Sequence, residues 1–61
     1  MRTYISHQRA YSLLSPTMFH RIKRLALTVN VRYQGEWRRI GWIGGYGWYL
    51  DSALLLTNQF V

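Results

Sequence analysis

The chain has 61 residues, eight Lys and Arg against two Asp and Glu for a formal charge of +6, and no cysteine. So short a chain buries only about 60% of its unfolded surface, which excludes a second core; without cysteine there is no disulfide framework, thiolate zinc site or thiol chemistry. An apolar content of 49% with 16% aromatics excludes a disordered tail, so one small folded domain over 1–61 is expected.

Residues 1–14 read as an N-terminal arm or short helix. Tyr4, Tyr11 and Leu14, with His7 between them, recur at seven- and three-residue spacing and form one apolar edge. Arg2, Thr3, Ser6, His7, Gln8 and Arg9 leave no room for the apolar run of a secretory leader, and a cytoplasmic location is the expectation.

Residues 15–27 predict an amphipathic basic helix. Ser15 suits the N-cap and Pro16 the first helical position, where its missing N–H is no loss. Met18, Phe19, Ile22, Leu25 and Ala26 form one apolar stripe, while His20, Arg21, Lys23 and Arg24 take the rest of the circumference.

Residues 28–50 change period from 3.6 to two, which predicts three strands near 28–34, 37–43 and 46–50. Gly35-Glu36 reads as a type II′ hairpin turn, and Gly44-Gly45, or Gly44 to Gly47, as the second turn. The first turn sets Arg32 against Arg39, Val31 against Ile40 and Val29 against Trp42. Leu27, Val29, Val31, Tyr33, Ile40, Trp42 and Tyr49 then make a core face for Met18, Phe19, Ile22 and Leu25 of the helix. The opposite face receives Arg32, Trp37, Arg39, Ile43, Trp48, Leu50 and Tyr46, with Gly41 as its floor. Residues 51–61 read as a C-terminal turn, capped by Asp51 or Ser52, or as a further strand. The expected fold class is therefore α+β, one or two helices packed on a three-stranded antiparallel β-meander.

Chemistry-bearing residues are few. His7, His20, Glu36 and Asp51 are the only imidazoles and acids, and their spacing suggests neither a metal site nor a catalytic set. The glycines at 41, 44, 45 and 47 lack the Lys-Ser/Thr of a phosphate loop. No enzyme activity, metal or cofactor is expected. The stretch from Ile40 onward has spanning length, but its glycines and Asp51 argue against an integral span. A small membrane-active toxin is the third of three functional readings.

The first reading is a nucleic-acid-binding protein. Arginines beside aromatic rings on a sheet suit single-stranded nucleic acid, because rings stack bases and guanidiniums take phosphates. Arg32, Arg39, Trp37, Trp48 and Tyr46 would form that face, with Arg21, Lys23 and Arg24 adding attraction. The second is a protein-binding regulator, a phage- or plasmid-like inhibitor or antirepressor, that uses the same face against an acidic protein surface, since Trp and Arg are enriched in binding hot spots. The tryptophan face has two possible states: open, or buried under residues 4–14 or a second subunit in a homo-oligomer.

Overall fold

The computed structural model describes residues 2–53. Its elements in chain order are β1 (Thr3–Ile5), α1 (His7–Leu13), α2 (Pro16–Leu25), β2 (Thr28–Tyr33), β3 (Glu36–Ile43) and β4 (Gly47–Ser52). The four strands form one antiparallel sheet in the order β1-β4-β3-β2, and both helices pack on one of its faces. The α+β class and the β2–β4 meander match the sequence reading. The fourth strand is a correction: β1 docks along β4 and pairs Thr3 with Leu50, Tyr4 with Tyr49 and Ile5 with Trp48. The apolar spacing over 1–14 joined two elements, because Ser6 ends the strand and caps α1 by accepting the Arg9 N–H at 3.1 Å.

α2 begins as its residues dictate. Ser15 Oγ accepts the Met18 N–H at 3.2 Å and Pro16 occupies the first turn. The helix ends earlier than 27, at Leu25, because Ala26 turns left-handed (φ 58°, ψ 41°) while its N–H still donates to the Ile22 carbonyl. Leu25 and Leu27, expected in the core, flank this turn and remain exposed.

Both hairpins depart from the expected turns, with different consequences. The first turn is Gln34-Gly35, not Gly35-Glu36: Gln34 (φ 54°) and Gly35 (φ 81°) are both left-handed, the pattern of a type I′ turn. Partners therefore shift by two, setting Arg32 opposite Trp37 and Asn30 opposite Arg39. Such a shift preserves the faces, so Arg32, Trp37 and Arg39 still share one side. The second loop has three residues, Gly44 to Tyr46, between the paired Ile43 and Gly47. An odd loop reverses parity relative to the two- and four-residue alternatives. Trp48 and Leu50 therefore point under the helices, and Tyr49 points away, the reverse of the expected arrangement.

The core lies between helices and sheet. Ala10, Phe19, Ile22, Val31, Ile40, Trp48 and Leu50 are buried, with Ile5, Leu13, Leu14, Met18, Val29, Tyr33 and Trp42 packed around them. The Phe19 and Trp48 rings stack at 4.7 Å between centres. Asp51 and Ser52 belong to β4 rather than to a cap. The remainder of the expected C-terminal element, 54–61, lies outside the described residues.

Candidate nucleic-acid interface

Among the described residues, neither helix covers the second sheet face. Strand alternation places Tyr4 on it from β1, Tyr49 and Asp51 from β4, Trp37, Arg39 and Gly41 from β3, and Asn30 and Arg32 from β2. Arg2, just ahead of β1, and Tyr46, at the tip of the second loop, complete it.

The face has a packed centre and two exposed ends. At the centre, the Tyr49 ring lies across Gly41, where a methyl group would fall 2.5 Å from the Tyr49 hydroxyl oxygen. The Arg2 guanidinium sits 4.2 Å from the centre of the Tyr49 ring, a cation–π contact, and Tyr49 is buried. Arg2 Nε (3.6 Å) and Arg39 Nη2 (3.3 Å) both approach Asp51 Oδ2. Asp51 Oδ1 accepts the Ser52 N–H at 2.8 Å. That backbone donor, with the Arg39 guanidinium adding to it, holds the Asp51 carboxyl below the usual carboxylate range against partial desolvation.

The ends carry the free rings. Trp37 is 56% exposed, with the Arg32 guanidinium 5.4 Å from its ring centre. At the opposite corner Tyr4 (48% exposed) and Tyr46 (75% exposed) approach within 6.1 Å. The face thus holds three accessible rings and three arginines against one carboxylate.

Four of the eight residues predicted for the site come together here: Arg32, Arg39, Trp37 and Tyr46. Trp48 does not, and this corrects the expectation. It is 1% exposed and points to the helix side, because the three-residue loop reversed β4. Arg21, Lys23 and Arg24 also lie away from this face. They sit on α2, whose Phe19 and Ile22 pack against the opposite side of the sheet. Lys23 Nζ lies 4.7 Å from the centre of the Trp42 ring there. The sequence reading missed Arg2, Tyr4, Tyr49 and Asp51. The available signal was the alternation of Arg2 and Tyr4 with Thr3 and Ile5, a period of two over four residues.

On the helix side, Ile5, His7, Trp42, Gly47 and Trp48 line a shallow depression of about 220 Å³. Its imidazole is already engaged, since His7 Nδ1 accepts the Trp48 indole N–H at 2.8 Å and the ring stacks on Trp42 at 5.4 Å. Among the described residues, no three His, Asp or Glu side chains converge, and no helix is long and apolar enough to cross a membrane. The chain matches no family model, no curated protein and no solved structure.

Proposed function

We propose that this is a non-catalytic, cytoplasmic protein that binds single-stranded nucleic acid on the second sheet face. One observation carries the reading: among the described residues, three accessible rings, Trp37, Tyr4 and Tyr46, share the face opposite the helices with Arg2, Arg32 and Arg39. A splayed base offers a flat π-surface to such a ring, and each stacked base contributes about 1–3 kcal/mol. Two or three bases, with phosphates on the arginines between them, reach the micromolar range of about 8 kcal/mol. The exposed rings also fit a single strand better than a duplex, whose bases are already stacked.

The test is a titration of short single-stranded DNA and RNA oligonucleotides, followed by tryptophan fluorescence across a salt series. Three phosphate contacts on a single strand give a slope of log K against log salt near about −2. Trp37→Ala and Arg39→Glu each abolish binding, while Arg21→Gln leaves the slope on a short strand nearly unchanged. A flat salt response overturns the reading. Absence of oligonucleotide binding, with capture of an acidic protein that Trp37→Ala prevents, assigns the face to a protein-binding regulator instead.

A further inference from the structure

The positive charge of this chain is divided between two opposite surfaces. Arg38 pairs with Glu36 at 3.3 Å, and Arg2 and Arg39 share Asp51. Those two carboxylates are the only acidic side chains in the sequence. The sheet face therefore carries three arginines against one acid. The helix layer carries Arg9, Arg21, Lys23 and Arg24 against none, which is the larger share of the formal +6.

The helix-layer cations are also placed as an anion surface. All four are exposed. Phe19 and Ile22 turn α2 toward the sheet, which leaves Thr17, His20, Arg21 and Arg24 along its outward stripe at helical spacing. That stripe holds no Trp or Tyr, so of the residues enriched in protein hot spots it offers arginine alone, with Leu25 exposed at its edge. Arg21 and Arg24 are three residues apart, where like charges repel, and no acid within Pro16–Leu25 relieves them. Phosphates would relieve them, and arginine suits phosphate geometry. The stripe holds no Phe, Tyr or Trp, and Tyr11, the exposed tyrosine of the helix layer, stands edge-on to Phe19 at 5.0 Å, so the surface would hold a backbone chiefly by its phosphates.

We infer that the protein bridges two nucleic-acid segments, one stacked on the sheet face and a second held by its phosphates along the helix layer. The inference rests on the proposed sheet-face reading and adds a second site on the opposite side. Because the core separates the two surfaces, one strand can occupy each without displacing the other.

Two non-complementary single-stranded oligonucleotides, one with a donor dye and one with an acceptor, are mixed at low salt and titrated with the protein. Bridging predicts energy transfer that rises to a maximum near one protein per two strands and falls in excess protein, when each strand has its own molecule. The double variant Arg21→Gln/Arg24→Gln, its fold checked by circular dichroism, should bind a single strand within about threefold of the parent yet give no energy transfer. Wild-type binding without transfer overturns bridging and leaves the sheet-face reading standing. Transfer that persists in the double variant also overturns it, because the second strand is then held elsewhere, as by paired sheet faces. Failure to bind either strand overturns the sheet-face reading and bridging with it.

Discussion

Trp48 has one proton to donate, and it gives it to His7 Nδ1 at 2.8 Å. The indole is otherwise enclosed, against Phe19 on one side and Trp42 on another. Without that acceptor a buried N–H loses its partner, at a cost of about 1–3 kcal/mol. His7→Phe keeps a flat ring beside Trp42 while removing both ring nitrogens and with them the acceptor. The expected result is a lower urea midpoint with unchanged slope, a large fraction of the stability of so small a domain. A variant as stable as the parent would show that the bond contributes nothing. Nothing in the sequence marked this role. Its spacing puts His7 on a helix edge with neither a metal site nor a catalytic set around it, and the expected strand parity puts its donor, Trp48, on the opposite face.

At the scale of elements, legibility followed the strength of local chemistry. Ser15-Pro16 and the stripe through Met18, Phe19 and Ile22 specify a helix start and a buried face independently of the rest of the fold, and both stand in the structure. The common side of Arg32, Trp37 and Arg39 was also legible, because moving a two-residue turn by one position leaves parity intact. Parity of β4 was not, since three glycines around Tyr46 fit loops of two, three or four residues and the odd one reverses every side chain. β1 escaped because its alternation is too short to outweigh a helical spacing that ran across its end. The helix end was missed for a related reason: Ala26 belongs to the apolar stripe by spacing but adopts φ 58°, a conformation normally left to glycine. Ala26→Gly should therefore stabilise the protein by about 0.5–1 kcal/mol, which a rise in thermal midpoint would register. A fall would mean that the alanine methyl or chain entropy outweighs the strain at this cap.

For the molecule as a whole, the chief electrostatic constraint is that one carboxylate sits among the arginines of the sheet face. Asp51 helps hold β1 and β3 to β4 through Arg2 and Arg39, and it also repels any strand lying across them. Stability and binding therefore make opposite demands on this residue. Its folded carboxyl titrates below the ordinary value, so the stabilisation is complete above that value and disappears as the pH falls through the lower folded one. Acid should weaken the protein in that window, below about pH 4, and Asp51→Asn should abolish this part of the pH dependence. The same variant should bind single strands more tightly, with a steeper salt slope, because Arg2 and Arg39 no longer share an internal anion. Denaturation across a pH series and oligonucleotide titration across a salt series measure the two effects separately. If Asp51→Asn binds more weakly while remaining folded, the carboxylate is aligning the guanidiniums for the strand rather than competing with it, and the phosphates would have to lie beside this pair instead of on it.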